Sequence, residues 1–533
     1  MTAGHLSAIM AVNFGKGREC VKKLLCLAMA LVMLGLLALP VRAEEAPKAK
    51  NIFGNSILVS HTGFRDVDEL IDGNTVAPMA FGSGCTMTLR HSGGIGSMYL
   101  MFNKEYGAFS VTDLDTGEVR TFGEYAFIHE FADLEAAFGK APTYLKLEFL
   151  NGAGQLNEFY VFTPGEVPDF VQKWQPPKDG ETDIVLFSTH GDDEQLFFAG
   201  LLPYYAKERG YQVQVVYLTN HRNQTYRRAH EMLNGLWAVG VDTYPVFGTF
   251  YDLMSTSREL AMRNFRSQGV TEEDLLGFVV ENLRRFRPMV AVGHDLEGEY
   301  GHGQHMVYAD MLIRAVEITN DPQQFPESAQ RYGVWDVPKT YLHLYSHNQI
   351  YLDWDQPLES FGGMTAFEVT KKLGYPCHKS QYWDFAWYLA YKNSAGEITE
   401  YSPCEYGLYR STVGEDVLKN DIFENVKTHV QVKAEEEAAR IAAEEEARRQ
   451  EEARLEAERK AEEERIRREE AQRRAEEAEQ ERLRLEEEAA AREAQRRKQL
   501  TVRVLAGVLL VLLLLGTVIA VIDRRREKYF EKK

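Results

Sequence analysis

The sequence predicts an α/β fold with a mainly parallel sheet, preceded by an antiparallel β-sandwich and followed by a long charged helix and one membrane-spanning helix. Three observations lead there. Between residues 180 and 425, apolar strands alternate with amphipathic helical stretches. Between 51 and 165, short runs alternate apolar and polar residues with glycine-rich breaks. Beyond 432 the composition collapses to Glu, Arg and Ala before an apolar run without charge.

Residues 1–43 read as a signal peptide. Arg18, Lys22 and Lys23 precede an apolar run from Leu24 to Leu39, and Val41 and Ala43 suit a small-x-small cleavage site. An N-terminal anchor is the alternative; the run is short for a span of about 20 residues, and Pro40 with the polar stretch from Glu44 favours export.

The segment 51–165 contains "SMYLMF", "AFSVTDL", "YLKLEFL" and "EFYVF", the pattern of a β-sandwich. In "LIDGN" (Leu70 to Asn74) and in its closing strands it resembles the discoidin-like, galactose-binding type of sandwich. That resemblance implies a glycan held in the loops at one end. An accessory domain that only packs on its neighbour is the alternative.

A linker with Pro164, Pro168, Pro176 and Pro177 follows. Then "DIVLFST", "VQVVYLT", "YPVFG", "MVAVGH" and "TYLHLYS" read as strands, with helices near 194–209, 224–239 and 271–285. This is a Rossmann-like domain over 180–425.

From 432 to 498, Glu to Arg pairs three or four apart support an exposed helix at roughly 0.2–0.5 kcal/mol each. The large apolar residues Val432, Ile441, Leu455, Ile466, Leu483 and Leu485 keep no heptad, so a solitary helical stalk is expected, with a weak coiled coil or a disordered spacer as alternatives. Residues 504–522 form an uncharged run of bilayer length, followed by Arg524, Arg525, Arg526 and Lys528. Positive charge after the span places the tail 523–533 in the cytoplasm and the preceding domains outside: a single-pass protein of a bacterial cell membrane.

Without the first 43 residues only Cys85, Cys377 and Cys404 remain, too few for a disulfide scaffold; Cys377 and Cys404 can form one bond, and Cys85 is expected to be buried. The formal net charge of −19 argues against nucleic acid as a partner.

Chemistry concentrates at the carboxyl ends of two strands, where open α/β sheets form their crevice. After "DIVLFST" come His190, Gly191, Asp192 and Asp193; after "MVAVGHD", the segment "GEYGHGQH" brings Tyr300, His302 and His305. Either cluster alone reads as a helix cap or a surface histidine pair. Together they offer two histidines and an aspartate, the three protein ligands of a catalytic zinc with one open position.

In "THGDDE" and "YGHGQH", in that order and context, the sequence resembles the PIG-L or LmbE-like deacetylases, and the likeness extends from Asp183 to Glu424 through "LTNHRN", "RRAHEMLNGLWAVGV", "HKSQ" and "EYGLYRSTVG". The resemblance implies that His190, Asp193 and His305 hold Zn2+, that Asp192 is the general base, and that His302 and Tyr300 hold the reacting carbonyl. It places Asn220, His378 and Gln381 along the cleft. His221, His230, His343 and His347 are expected to be surface or structural. Two positions depart from the family: its Pro is Gly191 here, which is expected to loosen the ligand loop, and its acidic residue between the late histidines is Gln304, expected to alter how His305 is oriented.

The reading is a cell-surface hydrolase of linear amides, removing acetate from an N-acetylated glycan or amino sugar. Another amide as substrate is one alternative. A surface glycan-binding or adhesion protein with an inert hydrolase domain is the other; it expects no metal at His190, Asp193 and His305.

Overall fold

The protein is seen in a computed structural model that describes residues 47–54, 56–220, 227–381 and 401–530. The signal-peptide segment 1–43, His221, the first residues of the helix expected from 224 and the last three of the tail lie outside the described residues.

The N-terminal strands are β1 (Leu58–Thr62), β2 (Met79–Phe81), β3 (Thr86–Arg90), β4 (Ser97–Phe102), β5 (Phe109–Asp113), β6 (Val119–Phe122), β7 (His129–Asp133), β8 (Tyr144–Phe149) and β9 (Gly154–Phe162). They form two sheets, of order β1-β3-β8-β5-β6 and β2-β9-β4-β7, with every named pair antiparallel. Along β8 every second residue is buried, because alternate side chains leave opposite faces of a strand. Met87, Leu89, Leu145 and Leu147 of the first sheet and Met98, Leu100, Phe159 and Val161 of the second join in one buried cluster. The whole of β4 is buried; Tyr99 and Met101, on its other face, are covered by Val171 and Phe162.

A six-stranded sheet follows, built from β10 (Ile184–Ser188), β11 (Val213–Tyr217), β12 (Val290–Gly293), β13 (Lys339–His343), β14 (Gln349–Tyr351) and β15 (Glu405–Ser411) in the order β11-β10-β12-β13-β15-β14. The first three pairings are parallel and the last two antiparallel. Strands β10, β11, β12 and β13 are buried at every position, as expected where helices cover both faces of a parallel sheet. The helices that bear on the site are α1 (Asp193–Leu196), α2 (Arg227–Ala238), α3 (Glu272–Phe286) and α4 (Gly303–Ile318).

Three local expectations are corrected. The helix expected over 194–209 breaks after α1 and resumes as a wide π-type turn, Pro203–Glu208. Gly200 lies at φ 89° with Trp354 packed where its Cβ would stand, so a regular helix cannot pass through it. "YPVFG" is no strand; it contributes only the single bridge Val216–Val246, with Thr219–Phe250 beyond it. Cys377 and Cys404 are free: the Cys377 thiol points back along its own turn to the Leu373 carbonyl at 3.3 Å, while Cys404 is buried just ahead of β15.

The C-terminal unit, Val432–Lys533, is described by one helix, α5 (His429–Phe530). Its side chains from 433 to 526 are exposed, and Glu–Arg pairs such as Arg440 with Glu437 at 2.6 Å and Glu444 at 2.8 Å run along it. Its apolar stretch reaches a mean hydropathy of 3.0 and is long enough to cross a bilayer.

Candidate functional site

Strand β10 delivers the chain into a tight turn. The Ser188 hydroxyl donates to the His190 carbonyl at 3.0 Å, and the His190 amide donates to Asp193 Oδ2 at 2.8 Å. Asp192 accepts the amides of Gln195 and Leu196 through its carbonyl, while its carboxylate makes no capping bond and stays available to the cleft. The neighbouring strand β12 runs into His294, then into the short turn Glu299–Gly301, in which Tyr300 lies in the left-handed region at φ 47°, ψ 26°. Helix α4 starts at Gly303, and His302 Nδ1 accepts the Gln304 amide at 3.2 Å as its N-cap. His305 sits in the first turn of that helix.

Both segments meet at one point. His190 Nδ1 lies 3.1 Å from Asp193 Oδ2 and 3.1 Å from His305 Nε2, and His305 Nε2 lies 3.2 Å from Asp193 Oδ2. Ligands at about 2.0–2.1 Å from a tetrahedral zinc are separated by about 3.3 Å, so this triangle has the edge of such a site. The other ring nitrogens face acceptors: His190 Nε2 is 2.9 Å from Gln304 Oε1, and His305 Nδ1 is 2.7 Å from Glu299 Oε2. That arrangement turns the lone pairs of His190 Nδ1 and His305 Nε2 toward the carboxylate oxygen and toward each other. The donor set fits zinc.

Among the described residues, two further groups that overlap this triangle also have the spacing to hold a metal: His190, His302, His305 and Asp193, His294, His305. Hydrogen bonding separates ligands from neighbours. His294 Nε2 already accepts the Thr189 amide at 3.0 Å, which commits its lone pair. His302 Nδ1 accepts from Gln304, so in the neutral ring the proton is on Nε2, making His302 a donor to the cleft. Burial, with the charges of His190 and His305 beside it, holds His302 neutral, with its pKa lowered to about 2.

Burial opposes charge throughout the site, and at His190 and His305 the neighbouring carboxylates outweigh it. Against that desolvation Asp252 and Asp193 raise His190 well above its usual range, and Asp193 with Glu299 raises His305 to about 9. Asp193 itself is held far below the ordinary carboxylate range by His305 and His190, in spite of its burial. The field at the meeting point favours positive charge. Asp192 shifts the other way: burial raises its proton affinity, Asp193 adds to the rise, and Arg228, with Nη2 3.5 Å from Asp192 Oδ1, offsets part of it.

His190, Asp192, Asp193, Tyr300, His302 and Gln381 line one cleft of about 390 Å³, together with Arg228, Asp252 and an apolar wall of Leu196, Leu253 and Met254. His305 is fully buried behind it. Asn220 and His378 are not on this lining: Asn220 Nδ2 donates to the Thr249 carbonyl at 3.2 Å, and His378 is buried with Nε2 3.3 Å from Glu194 Oε1. His230 and His343 are buried, in hydrogen bonds to His129 and Glu299, and His347 is exposed.

The departures from the family pattern have local explanations. Met232 fills the space that a side chain at 191 would occupy, so the loop there is packed rather than loose. Gln304 holds His190, not His305, and its Nε2 donates to the Tyr251 carbonyl at 2.9 Å. His305 is held instead by Glu299. Sequence reasoning passed over Arg228, Asp252, His294 and Glu299. Arg228 and Glu299 lie inside the quoted motifs "RRAHEML" and "GEYGHGQH"; Asp252, in "FYDLM", has no local signal.

With this geometry in place, similarity to known proteins defines the class. Residues 185–316 match the family model described as PIG-L: GlcNAc-PI de-N-acetylase. The chain carries a PIG-L domain over that stretch. It is 25% identical over 178 residues to 1D-myo-inositol 2-acetamido-2-deoxy-alpha-D-glucopyranoside deacetylase 1 of Catenulispora acidiphila, covering 30% of this chain and 54% of that protein. It is 30% identical over 192 residues to the deacetylase of the same name from Mycobacterium leprae, covering 31% of this chain and 61% of that one. The matched region therefore spans little more than half the length of these curated relatives. Among solved structures, N,N'-diacetylchitobiose deacetylase from Pyrococcus horikoshii aligns at 16% identity over 43% of this chain and 83% of its own, with a TM-score of 0.30. The hydratase GalB from Pseudomonas putida aligns at 15% identity over 44% and 99%, also with a TM-score of 0.30.

Proposed function

We propose that this chain is a cell-surface, zinc-dependent deacetylase that hydrolyses the N-acetyl group of an amino sugar or glycan, releasing acetate and a free amine. The observation that carries the reading is the convergence of His190 Nδ1, Asp193 Oδ2 and His305 Nε2 at tetrahedral-edge spacing beside the Asp192 carboxylate, which makes no capping hydrogen bond. The PIG-L match and the deacetylase relatives support the reaction class.

His190, Asp193 and His305 would hold a zinc ion, which would supply Lewis acidity and lower the pKa of a water toward about 7. Asp192 takes the proton of the attacking water on its carboxylate and returns it to the departing amine nitrogen. Its raised proton affinity suits that exchange. His302 Nε2–H and the Tyr300 hydroxyl donate to the carbonyl oxygen as negative charge develops on it. Arg228, which also donates to the Gly191 carbonyl at 3.1 Å, steadies Asp192 from behind. The cleft is in the range of a small-molecule site, and Asp252, Arg228 and Gln381 give it the polar walls that sugar hydroxyls require.

In this reading residues 1–43 are a signal peptide, 51–165 a galactose-binding-like β-sandwich, 180–425 the Rossmann-like deacetylase domain, 432–498 a charged helical stalk and 504–522 the transmembrane helix. Residues 523–533 face the cytoplasm of a bacterial cell and the site faces outward. The test is bound zinc and acetate release from N-acetylglucosamine oligomers by the full chain in detergent, beside His190→Ala. Zinc near one per chain and acetate release, both lost in the variant, support the reading; acetate release that persists without zinc, or no bound zinc at all, refutes it.

A further inference from the structure

Glu299 is completely buried, and its carboxylate is surrounded by donors. Oε2 lies 2.8 Å from His294 Nδ1 and 2.7 Å from His305 Nδ1; Oε1 lies 2.7 Å from His343 Nδ1 and 3.3 Å from the Asp295 amide. These histidines come from three places: the end of β12, the first turn of α4 and the end of β13. A carboxylate without a proton only accepts, so each ring that binds it presents N–H at Nδ1. For His294 this leaves Nε2 to accept the Thr189 amide at 3.0 Å, one residue ahead of His190. For His305 it leaves Nε2 as the lone pair directed at Asp193 and His190.

We propose that Glu299 is the positioning residue of the metal centre: one buried carboxylate fixes the tautomer and ring orientation of His305 and, through His294 and the Thr189 amide, the register of the loop that carries His190 and Asp193. The two ligand clusters follow different strands, and besides the direct contacts of His190 and Asp193 with His305 and Gln304, the Glu299–His294–Thr189 chain links the turn 299–301 to the end of β10. Gln304 orients the remaining histidine from the same helix turn. This inference rests on the zinc reading above. It assigns no contact between Glu299 and substrate, and Glu299 is not on the cleft lining.

Glu299→Leu removes every acceptor. Glu299→Gln keeps one oxygen for His305 and His294, while its NH2 meets His343, whose Nδ1 accepts it when the ring carries its proton only on Nε2, the nitrogen that faces the Ser402 carbonyl at 2.9 Å. The experiment is chelator competition for zinc on the full chain in detergent, with wild type, His305→Ala, Glu299→Gln and Glu299→Leu, together with the visible spectrum of the cobalt-loaded proteins. A histidine-orienting partner of this kind is worth about 10–100-fold in metal affinity. Glu299→Leu is expected to lose that much and to change the cobalt bands, with Glu299→Gln intermediate. If Glu299→Leu fails to fold, the Gln variant decides: a tenfold or larger loss with an altered spectrum supports the proposal. Wild-type zinc affinity and an unchanged spectrum in the folded Glu299 variants, with binding lost in His305→Ala, overturn it while leaving the zinc site standing. Equal, negligible binding in wild type and His305→Ala overturns the zinc reading and this inference with it.

Discussion

Replacing Asp192 by Asn tests the proposed general base separately from the fold. The Asp192 side chain makes no capping hydrogen bond, and its charged neighbour Arg228 stands at 3.5 Å with a second acceptor, the Gly191 carbonyl, at 3.1 Å. Asn keeps the volume and leaves Arg228 with that carbonyl. The ligand triangle does not include residue 192, so zinc binding is expected to stay within about threefold of wild type. A positioned general base contributes about 10²–10⁴ in rate, equivalent to about 3–5 kcal/mol of transition-state stabilisation at 1.36 kcal/mol per tenfold. The assay is steady-state acetate release from N-acetylglucosamine oligomers, with zinc content and thermal midpoint measured on the same preparations. A loss of a hundredfold or more in kcat with zinc and midpoint retained is the expected result. Activity within threefold of wild type removes Asp192 as the base, and a parallel loss of zinc places it among the ligands instead.

Three further outcomes follow from the same structure. Chelation is expected to abolish acetate release and added zinc to restore it; activity that survives a metal-free preparation excludes the zinc chemistry. Gly191→Ala places a methyl on Met232, and overpacking of this kind costs about 1–3 kcal/mol; combined with Met232→Ala, the loss in thermal midpoint should be smaller than the sum of the two single changes, and strict additivity refutes the contact. Stability depends on pH through His230, whose burial lowers its pKa to about 4. The folded state disfavours the proton, so this contribution is full above the unfolded value of about 6.5 and lost as pH falls toward 4, about 3 kcal/mol in all. Denaturant unfolding at pH 7.5 and pH 5 on wild type and His230→Phe reads it: a variant that loses as much stability as wild type between the two refutes it.

Much of the candidate site was legible because the residues that meet there lie in two short local runs. His190 to Asp193 and Tyr300 to His305 are short runs at the tips of β10 and β12, and polar, ionisable residues after an apolar strand are visible without a structure. What joins them is not local. Glu299 acts on His343 across 44 residues, and that link exists only because β12 and β13 pair side by side. The helix over 194–209 looked continuous because nothing nearby in the sequence shows that Gly200 takes a positive φ with Trp354, from far along the chain, packed against it. Asn220 and His378 stood in motifs near the cleft, but one is drawn to a backbone carbonyl and the other into the interior beside Glu194. Spacing says which residues are near a strand tip, while the direction of a side chain depends on partners that spacing does not contain.

Tyr300 sits in a backbone conformation that glycine enters freely and that costs other residues about 1 kcal/mol or more. A chain selected for its folding alone would place glycine there. Tyr300→Gly relieves that conformation but also removes a ring that packs against Phe197, His302 and His305, so the change in unfolding stability reads the strain against the packing, while the change in acetate release reads what the side chain gives the cleft it lines.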